Sequence, residues 1–579
     1  MQTVITGKNY MWCTQQCDTK LRAEVAARYN ISMAVAEILL NRGYGTPEKI
    51  EDFLFESEKH IHHPSLLADA EKAVLRIQQA IKNKEKILIA GDYDVDGITA
   101  SSLMMSCLIP LGAQVNFFLP NRAIDGYGLS TNVIKKAAKN GYTVIITVDN
   151  GITAHEPAEE AKKLGIDLII TDHHRPHGNL PDAYAIINPQ RADCPYPFKY
   201  LAGVGVSFKL ISLLYEKEKK VMPQKAYELD VLGTIADIVP LTGENRSKVQ
   251  RGLLIIQKAE SPAFSTLKEN GNLKKEKISS TDIGFFITPQ INALGRLDDP
   301  RDAVKFLIGT DENHIKEVGQ TLLSLNETRK KLEKNYTEEV KNKIEKKIID
   351  IEQDQIIIDA SAQFPIGVIG LIASRLVALY HRPAIIFFLT TEGIAKGSCR
   401  SISQINIFNM LESCADLLIK FGGHAQAAGL SIKTENIPLL KNRLRELLLA
   451  QNIQYGEKQM LNIDAEISLA DANPKLIADL EYLEPFGHQN DVPLFLFRKL
   501  HLLYPPKLLK EAHIKLQMFS HGTMREIIFF NRPELFPFFT QLEGQECAII
   551  AKTNENFWNG KKNIELIGVD VCLEKDIKK

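Results

Sequence analysis

Residues 91–100 read GDYDVDGITA, which sets Asp92, Asp94 and Asp96 on alternate positions directly after the apolar run KILIA. Three further clusters share this chemistry. Asp149 stands in TVDNGIT after YTVIITV; Asp172, His173 and His174 stand in TDHHRP after DLIIT; Asp237 stands in GTIADIVPL near the end of a helical run. Carboxylates packed together repel one another unless a cation neutralises them. The pattern therefore points to a divalent metal centre, with two ions bridged by one carboxylate. Two such ions can activate a water and clamp both oxygens of an in-line phosphoryl displacement. Mixed carboxylate and imidazole donors favour Mn²⁺, with Mg²⁺ as the alternative. The lack of a thiolate or HExxH set disfavours zinc. A single Asp of this kind is equally a helix N-cap or turn residue, but turn chemistry does not explain the paired histidines. His60, His62 and His63, in HIHHP, follow no comparable strand and read as surface or packing residues.

The elements that must position these groups alternate. From about residue 70 to 240, AEKAVLRIQQAIKN, TASSLMMSCLIPLG, TNVIKKAAKNG and PAEEAKKLG have helical character. KILIA, QVNFFLP, YTVIITV, DLIIT and AYAIIN are strand-like. The alternation implies a doubly wound, mainly parallel sheet. Its strands end on one shared edge, where ligands bind, so carboxylates from three strand ends converge there.

A chain of 579 residues is too long for one core, and three or four domains are expected. Residues 1–50 read as a helical lead-in and 51–310 as the α/β domain above. Residues 311–347 are charge-rich with no Pro, and form a long connecting helix. Residues 348–452 read as a second α/β domain, and 453–579 as a β-rich domain, a small antiparallel barrel or sandwich. The helix is either a solvated connector or a basic rail beside a groove. The net charge of −1 leaves any basic surface local. No apolar run is long enough to span a membrane, the first twenty residues lack a signal-peptide pattern, and the eight scattered cysteines read as reduced thiols. These features fit a cytoplasmic protein.

Taken together, GDYDVDGITA, TVDNG, TDHH and ADIVPL resemble the four motifs of the DHH phosphoesterase superfamily, and FGGHAQAAGLSI at 421–432 resembles the associated DHHA1 motif. NALGRLDDP and EPFGHQNDVP sharpen the resemblance to the RecJ family of single-strand-specific exonucleases. The resemblance implies an α/β fold with DHH and DHHA1 domains joined by the long helix, plus a C-terminal OB-like β-barrel. It implies Asp94 and Asp96 as metal ligands with Asp92 as a third contributor, Asp149 as the bridging carboxylate, His173 as a ligand, His174 facing the scissile phosphate, and Asp237 as the last carboxylate. Pyrophosphatase relatives carry a ligand His at the position of Ala90. The Ala agrees with the RecJ branch and leaves the first ion's shell incompletely assigned.

The second α/β domain is expected to hold DNA. Ser398 and Arg400 face the same way if their segment is extended, and a hydroxyl with a guanidinium suits phosphate oxygens. The resemblance implies that this pair, with Arg122, holds the 5′ end, and that Arg296 contacts a phosphate further along; a surface ion pair is the alternative for each Arg. Gly422, Gly423 and His424 permit close approach of a strand, or else form a helix C-cap. Among candidate stacking residues, Phe529 and Phe530 are adjacent and would face opposite ways in a strand, while Phe557 and Trp558 lie close to Lys561 and Lys562. The implied activity is metal-dependent 5′-to-3′ hydrolysis of single-stranded DNA to 5′-mononucleotides, in DNA repair and recombination, with single-strand-binding protein and a helicase as partners. The rival readings are a phosphodiesterase acting on short oligoribonucleotides or cyclic dinucleotides, and a non-catalytic single-strand-binding scaffold. Spacing alone reaches only metal-assisted phosphoester hydrolysis.

Overall fold

The computed structural model describes residues 2–55, 57–121, 128–176, 178–452, 455, 458–542, 544–558 and 561–577. It divides into two compact units, one of His62–Val239 with Arg251–Gly456, the other of Met1–Ile61, Pro240–Gln250 and Glu457–Lys579.

In the first of these, strands β1 (Lys86–Ala90), β2 (Gln114–Phe118), β3 (Tyr142–Val148), β4 (Asp167–Thr171) and β5 (Ala185–Ile187) form an all-parallel sheet in the order β2-β1-β3-β4-β5. The order reverses between β1 and β3, and that topological switch point is where such sheets open a crevice for ligands. The central strands are buried apolar runs, as a sheet covered on both faces requires. Helix α1 (Val95–Leu108) is buried at every position but Ser106, so small and apolar residues surround it on all sides. It packs on α2 (Gly203–Lys217) and α3 (Gln224–Ala236).

Helix α4 (Thr288–Leu297) leads towards the long helix α5 (Glu312–Glu345), whose 34 residues span about 50 Å at 1.5 Å per residue. α5 is anchored at both ends. Ile315, Gly319 and Leu322 are buried where it meets α4 and the helix Pro262–Asn270. Val340 joins the core around Ile372 and Leu376, and Tyr336 meets Phe364 edge-on at 5.1 Å. That second core belongs to helix α6 (Ile369–Tyr380) and to a sheet of β6 (Ile357–Ser361), β7 (Ala384–Leu389), β8 (Ile394–Arg400), β9 (Leu418–His424) and β10 (Ala427–Lys433), in the order β9-β10-β8-β7-β6. Only β6 and β7 run parallel. Gly422 and Gly423 therefore sit in an edge-strand hairpin, with Gly422 opposite Gly429, and the helix C-cap alternative falls away.

In the second unit, Phe495–Leu502, Cys547–Trp558, Lys561–Leu573, Thr523–Phe529 and His513–Ser520 pair in succession, and Phe495–Leu502 pairs with His513–Ser520 as well. Phe529 is fully buried and Phe530 is exposed, so the adjacent pair does split between core and surface. The side chains of Phe557, Trp558, Lys561 and Lys562 lie outside the described residues. Residues 1–50 are not a free-standing helical lead-in. Gln2–Thr6 and Met11–Gln15 form a hairpin, and the second strand pairs in parallel with Met460–Ile463. The helices that follow bury Val35, Ile38 and Leu39 in the same core as Phe495, Phe497 and Ile549. Two five-residue strands are too short for periodicity to register, and their third strand is distant in sequence.

Asp570 clips the hairpin in place. It is fully buried and accepts hydrogen bonds from the Trp12 indole N–H (2.8 Å) and from the backbone N–H groups of Asn9 and Tyr10, each at 3.0 Å. Asp570→Ala leaves these donors unsatisfied and should cost on the order of 3 kcal/mol. Urea unfolding followed by tryptophan fluorescence checks this; an unchanged midpoint would show that the strand pairing alone holds the hairpin.

Candidate metal centre

Each carboxylate at the switch point is fixed by a local reason. Asp94 caps α1, its Oδ1 accepting from the Gly97 N–H at 3.1 Å. Asp96, in the first turn, is 2% exposed and takes the N–H groups of Gly203 and Val204 at 2.6 and 2.7 Å. Its charge thus faces the positive end of α2. A Cβ on Gly203 would fall 2.5 Å from the Asp149 side chain, so only glycine lets that helix end come this close. Asp149 leaves β3 with φ +62°, a left-handed conformation that costs a non-glycine residue energy and marks functional sites. Asn150 beside it is buried, and its amide donates to the carbonyls of Ala90 (3.0 Å) and Val148 (2.9 Å), locking the ends of β1 and β3 together. Sequence reasoning gave Asn150 no role; its only signal was an Asp-Asn pair directly after a strand. Asp237 ends α3, followed by Ile238 at φ +57°, a second left-handed residue and a β-branched one.

Asp172 is saturated by protein donors. Its Oδ2 accepts from the Ile152 N–H, and its Oδ1 accepts from the N–H groups of His173 and His174 and contacts the His174 Nδ1 at 2.7 Å. It is a positioning residue for the two histidines, a role the sequence reading did not assign. The His173 ring hydrogen-bonds the Leu201 backbone, while its Nε2 lies 3.1 Å from Asp149 Oδ1, 3.7 Å from Asp237 Oδ2 and 3.9 Å from Asp96 Oδ2. Both His173 Nε2 and Asp149 Oδ1 are buried and make no hydrogen bond. Three overlapping groups have ligand atoms within 4.8 Å of one another: Asp92, Asp94 and Asp149; Asp96, His173 and Asp237; and Asp149, His173 and His174. The structure thus brings together all seven residues expected at this site.

The electrostatics follow from packing five carboxylates in a largely buried crevice. Burial, then repulsion from Asp94, pushes Asp96 up to about 7. Burial and the surrounding carboxylates push Asp149 and Asp237 well above the usual carboxylate range. Burial, helped by the His174 charge, lowers His173 to about 4, leaving it a neutral imidazole. Burial opposes charging His174 too, but the Asp172 hydrogen bond and charge outweigh it and raise this imidazole to about 9. The same pair takes Asp172 below the usual carboxylate value despite its burial. The donor set fits a hard or borderline divalent cation: carboxylate oxygens, one imidazole nitrogen whose ring is already oriented, and two buried atoms lacking a partner. Ala90 is buried and its carbonyl is held by Asn150, so its side chain adds no ligand.

The residues expected to hold a strand lie elsewhere in the same unit. Ser398 and Arg400 do share a face of β8: Arg400 Nη1 donates to Ser398 Oγ at 3.1 Å and to the Cys399 carbonyl at 2.7 Å. The first turn of α6 abuts them, since a Cβ on Gly370 would lie 3.0 Å from Ser398 Oγ and 3.1 Å from Arg400 Nη2. Arg296, at the end of α4, donates Nη1 to the Gly367 carbonyl at 3.0 Å, which ties α4 to the loop before α6. Gly422, Gly423 and His424 are exposed on the edge strand β9. Arg122 lies outside the described residues.

Comparison with known proteins matches three family models: the DHH family N-terminal domain over residues 86–234, the DHHA1 domain over 353–450, and the RecJ OB domain over 463–570. The chain is 35% identical over 568 residues to the single-stranded-DNA-specific exonuclease RecJ of Bacillus subtilis, covering 97% of this chain and 71% of that protein. It is 34% identical over 529 residues to the Escherichia coli protein of the same name, covering 86% and 90%. The crystal structure of RecJ in complex with Mn²⁺ from Thermus thermophilus superposes with a TM-score of 0.82 at 25% identity, covering 97% of this chain and 79% of that one. Motif order, sheet topology and the crevice of carboxylates agree with these matches, and the chain belongs to the RecJ family of single-stranded-DNA-specific exonucleases.

Proposed function

We propose that the chain hydrolyses single-stranded DNA from its 5′ end, releasing 5′-mononucleotides, at the crevice between β1 and β3. The observation that carries this reading is the buried pair of Asp149 Oδ1 and His173 Nε2, both without a hydrogen bond and ringed by Asp92, Asp94, Asp96 and Asp237. One or two divalent cations, Mn²⁺ or Mg²⁺, supply Lewis-acid charge there when bound and make a water nucleophilic at neutral pH. Asp92, Asp94, Asp96, Asp149, His173 and Asp237 would hold them; Asp149 and His173 each belong to two of the three groups, and of these Asp149 is the carboxylate that two ions would share. His174, kept protonated by Asp172 at its Nδ1, donates from its other ring nitrogen to a non-bridging oxygen of the scissile phosphate.

Strand polarity comes from the second domain. Ser398 and Arg400, beside the amino end of α6, offer a hydroxyl, a guanidinium and a helix terminus to the 5′ phosphate, with Arg122 as a third donor. The edge strand with Gly422, Gly423 and His424 borders the track, and Arg296 acts through the Gly367 contact as well as on phosphate. We assign residues 51–310 to the catalytic domain, 311–347 to the connecting helix, 348–452 to the DHHA1 domain and 453–579 to the OB domain, with 1–50 attached to the last. A cyclic dinucleotide needs no such extended arrangement. A helicase and single-strand-binding protein are the partners this substrate calls for, since a duplex must be opened and kept open. The eight free thiols suit the cytoplasm. Among the described residues no helix is long and apolar enough to cross a membrane.

Asp149→Ala should lower hydrolysis of labelled single-stranded DNA by several orders of magnitude with the fold retained. Near-normal turnover would remove the bridged-metal arrangement. Arg400→Ala should weaken binding of 5′-phosphorylated strands by about 1.5–3 kcal/mol and leave 5′-hydroxyl strands little affected; equal weakening of both would make Arg400 a general backbone contact. The third expectation concerns pH in chelator-treated protein. His174 is raised, so its share of stability is complete below the ordinary imidazole pKa of about 6.5 and is lost as pH rises through about 9. Asp172 is lowered, so its share is present above the ordinary carboxylate value and is lost as pH falls through its own depressed one. Asp172→Asn should return His174 towards about 6.5 by NMR titration. A His174 still titrating near 9 would show that the other carboxylates hold its charge.

A further inference from the structure

The second unit contains a cavity of about 210 Å³ that the hydrolytic reaction does not use. Its walls include Tyr44, Lys49, Phe53 and His60 on one side, and Gly243 and Arg246, in the first turn of the 16-residue helix Gly243–Lys258, on the other. His60 thus lines a cavity, where sequence alone suggested a surface or packing residue.

Arg246 is the feature that needs explaining. It is only 4% exposed and makes no ion pair among the described residues. Its Nη2 donates to the carbonyls of Tyr482 (2.9 Å) and Glu484 (2.8 Å), its guanidinium lies over the Phe53 ring at 4.1 Å, and its Nε has no hydrogen-bond partner. Burial pushes this guanidinium down to about 10. A buried cation without a counter-charge is costly, and carbonyls with one aromatic face offset that only in part. The one carboxylate in the wall, Asp52, faces Lys59 at 3.7 Å. Lys49 and His60 add positive or protonatable groups, and the helix terminus adds the positive end of its dipole.

From the buried Arg246, the neighbouring Lys49 and the helix terminus, we propose that this cavity binds the phosphate of a nucleotide. A guanidinium, an ammonium and helix N–H groups together are phosphate-binding chemistry. The volume exceeds that of a bare phosphate, and the Tyr44 and Phe53 walls suit the attached nucleoside. The phosphate comes either from a free mononucleotide or from a single strand. None of the residues lining the cavity belongs to the carboxylate centre, so this proposal stands or falls independently of the hydrolytic reading.

The test is calorimetric titration of the full chain with thymidine 5′-monophosphate, in EDTA and in an Arg400→Ala background, so that neither the metal centre nor the 5′-phosphate grip contributes. Lys49→Ala, at an exposed position, should weaken binding severalfold, and Arg246→Met should weaken it by at least about tenfold. Circular dichroism checks the fold of Arg246→Met; should it not fold, Lys49→Ala decides. Inorganic phosphate should compete. A 5′-hydroxyl oligothymidylate that binds more tightly than the monophosphate, with the same Lys49 dependence, would identify a strand as the source; weaker binding would identify the free nucleotide. Unchanged affinity in Lys49→Ala, no binding at millimolar monophosphate, or preference for an acidic peptide over both phosphate ligands would each overturn the proposal.

Discussion

Five carboxylates meeting in a largely buried crevice is the constraint on which the rest of the catalytic unit depends. Left alone they would drive the strand ends apart or bind protons, as the raised values at Asp96, Asp149 and Asp237 show. The surrounding fold is arranged to hold them. The amino end of α2 meets Asp96, the Asn150 amide staples β1 to β3, and α1 is buried on all sides so that its capping Asp94 cannot drift. The left-handed turns at Asp149 and Ile238 are kept by this network in spite of their conformational cost. The same network leaves Asp149 Oδ1 and His173 Nε2 without a hydrogen bond, which is the state of a site built to be completed by a cation.

The two histidines divide the work because their surroundings differ. His173 is buried among acids with its ring fixed by a backbone group, so it stays neutral and keeps a lone pair available. His174 sits one residue further on, more exposed and paired with Asp172, so it stays charged. A neutral and a charged imidazole are thus separated by a single backbone step, and Asp172 sets the difference between them.

Much of this was legible in the sequence. Alternation of short apolar strands with helices gave the parallel sheet, and the placement of Asp92, Asp149 and His173 after three of those strands gave the convergence, because strand ends of such a sheet share an edge. The long helix was legible from its uninterrupted charge-rich run. What escaped were features that depend on distant partners. Asn150 has no pattern until β1 and β3 lie side by side. Arg296 gave no sign that it would reach Gly367. The hairpin at residues 2–15 was hidden because its strands are five residues each and its third strand is Met460–Ile463. Gly422 and Gly423 could equally have been a helix cap; the pairing with β10 decided that they are strand.

That hairpin bears on how the protein is made. The core that takes up Val35, Ile38 and Leu39 is supplied by Phe495, Phe497 and Ile549. On a ribosome moving at about 5–20 residues per second, the early helices emerge roughly 25 to 100 seconds before the strands that cover them. The intervening α/β unit, continuous in sequence from His62 to Gly456 except for Pro240–Gln250, can fold in that interval. The helices that carry Val35, Ile38 and Leu39 are thus among the last parts to reach their final environment, and until then their apolar faces stay uncovered.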